Sequence, residues 1–223
     1  HNLEYEKTFW PFVLLSKKRY VGNKYEFNTK KYKQTSMGIV LKRRDNAEIV
    51  KDIYGGVIDI IMNNKDIEAS KQFLKDSLMD LINGKYPLEK LVITKSLRAG
   101  YKDPQSIAHK VLADRMGERD PGNKPQVNDR IPFIYICVPE KKGKRILQGN
   151  RIEHPQYIKD NKLKPDYKFY ITNQIMKPVA QVFSLVMDKP ETLFEESLRI
   201  ATNRKNNVQE ITRWFSPKKS KLN

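Results

Sequence analysis

At Asp45 the spacing of apolar residues changes, and no other feature limits more sharply what this chain can fold into. Before it lie the aromatic and apolar run "TFWPFVLLS" and a loosely alternating stretch from Tyr20 to Phe27. A period near two is the signature of strands, and the two stretches read as arms of a hairpin. Leu3 to Lys7 is short, mixed and also strand-like. After it, Ile49, Val50, Ile53, Val57, Ile60 and Ile61 recur at helical spacing behind Asp45 or Asn46 as a cap, with Gly55-Gly56 weakening the middle. A second helix is expected from about Asp66 to Ile82, stopped by Asn83-Gly84. Strands first and helices afterwards place the chain in the α+β class.

The rest of the chain adds detail to that plan. "LEKLVITKSL" resembles a strand, and Asp103-Pro104 reads as a cap followed by proline at the first position of a helix running to about Met116. "GERDPGNKPQVNDR" is turn chemistry throughout. "IPFIYICV" is a buried strand, followed by the basic loop "PEKKGKR". One helix is expected from about Pro165 to Met187 and another from Glu191 to about Asn203. Beyond Arg204 the apolar pattern stops, and the remainder reads as a disordered basic tail with one short apolar cluster.

Charge points to the partner. Lys and Arg number 43 against 26 Asp and Glu, a net charge of +17, which favours a polyanion and nucleic acid first. No apolar run approaches bilayer-spanning length and no signal peptide is evident, so a membrane partner is not expected. The single Cys137 excludes an internal disulfide framework and a cysteine-based zinc site. The three histidines, His1, His109 and His154, form no spaced cluster. The opening His1-Asn2-Leu3 lacks an initiator Met, so the chain is expected to begin inside a longer protein or after processing.

Lys17, Lys18 and Arg19 stand directly behind the first apolar run, with Tyr20 next. Two readings fit: a solvated strand end, or a grip on phosphates and on the acceptors that every base pair presents in the minor groove. The second would be salt-sensitive and indifferent to sequence. Lys42, Arg43 and Arg44 precede a helix start and can hold phosphate, or one arginine can pair with an acid. Lys95 and Arg98 pose the same choice. Of the cations around Pro121-Gly122, Lys124 is assigned to DNA backbone, while Asp129 and Arg130 are expected to brace the loop. Asn173, Gln174 and Lys177 suit either a DNA contact or simple packing.

"EYEKTFWPFVLLSKKRYVG" resembles the Lys-Lys-x-Tyr segment of family-B DNA polymerases, particularly the eukaryotic delta type and its relatives in large DNA viruses. "GIVLKRRD", "LVITKSL", "ADRMGERDPGNKPQVNDRIPFIYI" and "DYKFYITNQIMKPVAQVF" resemble later blocks of that family in the same order. The resemblance implies that residues 1–44 are the end of the palm, 45–203 a mostly helical thumb with a few strands, and 204–223 a flexible tail. It implies that Lys17, Lys18 and Tyr20 hold primer–template DNA near the primer terminus. It further implies DNA-directed DNA polymerase activity in a complete enzyme, with a partner portion N-terminal to this chain and an intracellular setting, either a nucleus or a viral replication site. Mg²⁺ would be ligated by an Asp-Thr-Asp motif outside this chain; Asp59, Asp76 and Asp80 fall on helices, and Glu4 and Glu6 read as bracing groups, so no catalytic or metal-binding residue is assigned here and the chain alone is expected to be inactive.

"VQEITRWFSPKK" resembles the sliding-clamp (PCNA) binding peptide, with Ile211, Trp214 and Phe215 at the spacing of one helical turn. Val208 stands where that motif has Gln, and the alternative is an apolar patch folded back on the thumb. Lys218, Lys219 and Lys221 would steer it electrostatically. The competing functional class is a non-catalytic basic DNA-binding accessory protein or clamp adaptor, and a natural split polymerase subunit is a third.

Overall fold

The structure is a computed structural model that describes residues 5–26, 30–42, 45–139 and 146–215. Strands β1 (Thr8–Ser16), β2 (Arg19–Tyr25) and β3 (Tyr32–Met37) form one antiparallel sheet in sequence order. Ser16 pairs with Arg19, so Lys17 and Lys18 are a two-residue hairpin turn rather than the end of a strand. Lys18, the second residue of the turn, has φ 63°, in the left-handed region. The β1–β2 register slips between Phe9 and Phe12, and Pro11, which has no N–H for the ladder, falls in that interruption. Gly38 follows β3 at φ +63°, and a Cβ there would lie 2.3 Å from the Lys18 carbonyl oxygen. A side chain at position 38 would therefore push the chain away from the turn.

The helical lobe begins with α1 (Glu48–Asp59), which buries Ile49, Val50, Ile53, Tyr54, Val57 and Ile58. Its N-cap is Ala47, not Asp45 or Asn46, and the Ala47 N–H donates to Gln174 Oε1 at 3.4 Å. Gly56 is a point of close approach: a Cβ would meet the Phe73 ring at 2.3 Å, so the glycine lets the next helix pack closely. The helix widens into a π-type turn over Ile60–Asn64, burying Met62 instead of Ile60 and Ile61, and ends at Lys65 with φ 55°. Helix α2 (Ile67–Ile82) is capped by Asp66, whose carboxylate accepts the Ala69 N–H at 2.8 Å, and is followed by Gly84 at φ 70°.

The "LEKLVITKSL" segment divides, because Leu88–Leu91 takes a 3-10 turn and only Ile93–Ser96 is strand β4. Pro104–Ser106 is likewise a short 3-10 turn, and helix α3 (Ala108–Arg119) starts and ends three or more residues later than its sequence suggested. Strand β5 (Arg130–Tyr135) lies between β4 and β6 (Ile152–Glu153), all antiparallel. Helix α4 (Pro155–Asp160) follows. The expected single helix from Pro165 is α5 (Tyr167–Phe169), a π-type segment Tyr170–Ile175 and α6 (Met176–Phe183) in continuous succession. A 3-10 turn, Pro190–Phe194, leads into α7 (Glu195–Phe215). The backbone is therefore helical past Arg204 through Phe215, where the sequence pattern suggested an unstructured tail.

One hydrophobic core joins α1, α2, β4, β5 and α6, with Tyr54, Leu74, Leu78, Tyr170, Phe183 and Phe194 fully buried within it. The Tyr170 hydroxyl donates to the Leu91 carbonyl at 2.7 Å and accepts the Tyr135 N–H at 3.2 Å, so burial strands no polar atom there. That burial holds the Tyr170 phenol far above its ordinary range. Cys137 is a half-buried thiol pushed up to about 11, mainly by burial.

Candidate nucleic-acid interface

A chain of hollows runs from the hairpin turn across the base of the helical lobe. The first, about 450 Å³, is lined by Arg19, Gly38, Asn46, Asn173, Lys177 and Gln181 among others. The second, about 230 Å³, shares Asn46, Asn173 and Gln174 with the first and adds Asp45, Lys95 and Phe169. The third, about 540 Å³, shares Asp45 and Lys95 with the second and adds Ser96, Arg98, Tyr101, His109 and Arg130. Shared wall residues set the three side by side as one row, called the groove below, with cations at intervals and amides between them.

Each cation is placed by a definite element. Arg19 opens β2, and its guanidinium donates to Gln181 Oε1 at 3.4 Å, bringing the hairpin to the late helix. The carbonyl of Lys18 abuts Gly38, which itself lines the first hollow, so the turn carrying Lys17 and Lys18 stands at one end of the groove. Both turn lysines are exposed. Tyr20 does not project freely: its ring packs 5.7 Å from Phe9 and 5.4 Å from Phe12. Gln174, Lys177 and Gln181 line the first hollow from one face of the late helix, as their spacing of three and four residues dictates. Lys95 and Arg98 are exposed on and just after β4, across the ladder from Arg130, which pairs with Ser96.

The other sequence-assigned residues divide. Lys42 ends the 3-10 turn Val40–Lys42, next to the groove wall formed by Val40. Arg43 and Arg44 lie outside the described residues, as do Glu4, the greater part of the basic loop at 140–145, and Lys218, Lys219 and Lys221. Lys124 is not part of the groove: its stem lies over Gly117 of α3, where a Cβ would come within 2.7 Å of Lys124 Cγ. Ile211, Trp214 and Phe215 fall on the last turns of α7. Asp129 braces its loop, accepting the Gln126 N–H at 2.7 Å. Arg130 does the same only loosely, reaching Ser96 Oγ and the Thr94 carbonyl at 3.4 Å, and also walls the third hollow. His109, without any sequence partner, is the residue that sequence reasoning missed. Its neighbours Tyr101 and Arg98 come from a loop, and no periodicity signals them.

Acids and cations elsewhere are committed to structure. Buried Glu153 receives Arg119 in a two-pronged contact at 2.9 and 3.1 Å and has Arg115 Nε 3.0 Å away. Arg119 also stacks 3.7 Å over the Tyr157 ring. Asp166, 1% exposed, holds Arg151 and Lys205 and caps α5 by accepting the Phe169 N–H at 3.1 Å. Among the described residues no group of three or more His, Cys, Asp or Glu is placed to hold a metal ion, so these residues do not fit the metal set of a nucleotidyl-transfer centre. Nor, among them, is any helix long and apolar enough to cross a membrane.

Comparison with known proteins agrees with the order of the sequence blocks. The sequence profile described as DNA polymerase family B matches residues 1–186. The chain is 55% identical over 223 residues to the DNA polymerase of Pyramimonas orientalis virus, covering 95% of this chain and 18% of the relative. It is 50% identical to the DNA polymerase of Acanthamoeba polyphaga mimivirus, covering 96% of this chain and 12% of the relative. It is also 36% identical to the DNA polymerase delta catalytic subunit of Oryza sativa, over 83% of this chain and 16% of that protein. The chain thus spans less than a fifth of the length of these curated relatives. The fold is similar to a family B DNA polymerase structure from Pyrobaculum calidifontis, at TM-score 0.58 and 18% identity, over 79% of this chain and 21% of that one. With the α+β architecture and the ordered motifs agreeing, this chain belongs to DNA polymerase family B.

Proposed function

We propose that this chain is the duplex-gripping portion of a DNA-directed DNA polymerase, with residues 1–44 as the end of the palm, 45–203 as the thumb and 204–223 as a tail that engages a sliding clamp. Family membership removes the alternative of an accessory protein without polymerase ancestry. The observation that carries the reading is the groove: a row of adjoining hollows with Arg19, Lys177, Lys95, Arg98 and Arg130 along its walls and the Lys17-Lys18 turn at one end.

Phosphates recur along a duplex at fixed intervals, so cations spread along one groove can each meet one. Lys17 and Lys18, exposed on a tight turn, reach phosphate or the minor groove, while the Tyr20 ring, wedged against Phe9 and Phe12, keeps β2 from shifting under load. Lys42, Arg43 and Arg44 extend the same grip, and Lys124 adds a peripheral backbone contact. The chemical step would belong to the remainder of the polymerase, which would also ligate Mg²⁺. Its place would be at replicating DNA, in a nucleus or a viral replication site.

The double variant Lys17→Ala, Lys18→Ala tests the grip. The plot of log affinity for a primer–template duplex against log salt should become shallower by about 1.8, the release expected for two phosphates. An unchanged slope in a variant of unchanged Tm overturns the assignment. For the tail, Trp214→Ala with Phe215→Ala should abolish co-elution with PCNA, and persistence of the complex would show that the clamp contact lies elsewhere.

A further inference from the structure

The third hollow holds a device that duplex gripping alone does not require. Lys95, Arg98 and Arg130 enter it from β4, the loop that follows and β5, and Tyr101 and His109 form the wall between them. The Arg98 backbone N–H donates to the Tyr101 hydroxyl at 2.8 Å. The same hydroxyl lies 3.2 Å from His109 Nε2, and the rings meet edge-on at 6.0 Å. His109 uses its ring N–H on the Ser96 backbone, so in the neutral imidazole Nε2 is the acceptor and the Tyr101 hydroxyl, while accepting from Arg98, donates to it.

The surroundings keep it neutral. Burial holds the His109 imidazole below its ordinary value, Lys95 and Arg98 push the same way, and a hydrogen bond to the Ser96 backbone opposes them. Arg130 adds positive charge on the facing wall, and Asp45 is the acid bordering the cavity. His109 is in the first turn of α3, whose N-cap, Ile107, provides no side-chain acceptor.

We propose that this cavity is a phosphate-binding pocket, and that filling it is coupled to protonation of His109 through the Tyr101 hydroxyl. The proposal rests on the duplex-gripping reading only for the source of the phosphate. An oxyanion among Lys95, Arg98 and Arg130 cancels the positive field that disfavours imidazolium. A proton from solvent then binds Nε2, and the new Nε2–H donates to the Tyr101 oxygen, which still accepts from Arg98. The hydroxyl proton turns away from the ring into the cavity and donates to the oxyanion. Phosphate thus gains one hydrogen bond and His109 one charge, with no bond broken. The sign follows: the bound state takes up a proton, so affinity rises as pH falls through the window between the free and the occupied His109 midpoints.

The test follows the three histidine ring resonances by NMR from pH 5 to pH 8.5, with His109 assigned by its loss in His109→Gln. The chain is measured alone, with saturating inorganic phosphate, and with a saturating primer–template duplex. An upward move of the His109 midpoint by about one pH unit with both ligands, with His154 unmoved, is the expected result, equivalent to about tenfold tighter binding at the acid end. A move with inorganic phosphate alone supports the pocket and rejects the duplex as its occupant, so the gripping reading fails here while this proposal stands. A duplex that binds while neither ligand moves His109 overturns the proposal and leaves the gripping reading intact. Tyr101→Phe keeps every cation and removes the relay; its His109 midpoint should move by less than half as much, and a full move would refute the role of the hydroxyl.

Discussion

The hairpin sheet and the helical lobe use the same residue types for opposite purposes. In the lobe, Arg115, Arg119, Arg151 and Lys205 converge on two buried acids, Glu153 and Asp166, and are spent on holding strands to helices. In the sheet and along the groove, Lys17, Lys18, Lys95 and Arg98 are exposed and form no ion pair among the described residues. The apolar residues divide in the same way. The fully buried large side chains, among them Tyr54, Tyr170, Phe183 and Phe194, all belong to the lobe, whereas β1 leaves Trp10 65% and Leu14 56% exposed. A net charge of +17 therefore measures neither stability nor DNA affinity by itself. What a cation does here depends on whether an acid was buried beside it.

The largest expected effect tests the lobe. Asp166→Ala removes a cap and takes away the buried acid that Arg151 and Lys205, 27% and 14% exposed, share. Breaking a buried pair from one side should cost about 4 kcal/mol, read as a lower urea midpoint at unchanged m-value. The salt slope of duplex binding, measured well below the unfolding transition, should stay as it was. If the slope falls with stability, the two regions are not separable and the contrast fails. The lysine pair of the hairpin turn makes the reverse case, with Tm unchanged and the salt slope reduced.

Legibility in the sequence followed the same divide. Helices with a long apolar face and a side-chain cap were readable, as with α2 and Asp66, because local chemistry fixes both face and start. α1 was readable in its face but not its start, since the Ala47 N–H is served by a tertiary contact from Gln174 and not by a local cap from Asp45 or Asn46. The continuation of α7 was hidden because no apolar period marks it, and the contacts where it begins, Arg204 to the Ile82 carbonyl at 2.6 Å and Lys205 to Asp166, join residues far apart in the sequence. Of the groove, the Lys-Lys-Arg cluster was plain from charge and from the family resemblance. Its placement in a turn rather than on a strand came from the Ser16–Arg19 pairing, which only register decides. The Tyr101–His109 contact joins a loop to a helix eight residues on, and an isolated histidine in the sequence carries no sign of it.

Lys124 lies between the two classes and provides the finest test. Its aliphatic stem covers Gly117, as a lobe residue would, while the residue as a whole remains exposed, as a groove residue would. Packing of a lysine stem over a glycine removes little apolar area, so Lys124→Ala should change stability by no more than about 0.5 kcal/mol. It stands outside the groove, so its contribution to the salt slope should be below about 0.9, the value for one full phosphate contact. A drop of a full phosphate's worth would mean that the duplex track turns past α3 and is longer than the three hollows. No change in slope, with a small loss of stability, would place Lys124 with the bracing cations and confine the grip to the groove between the hairpin and β4.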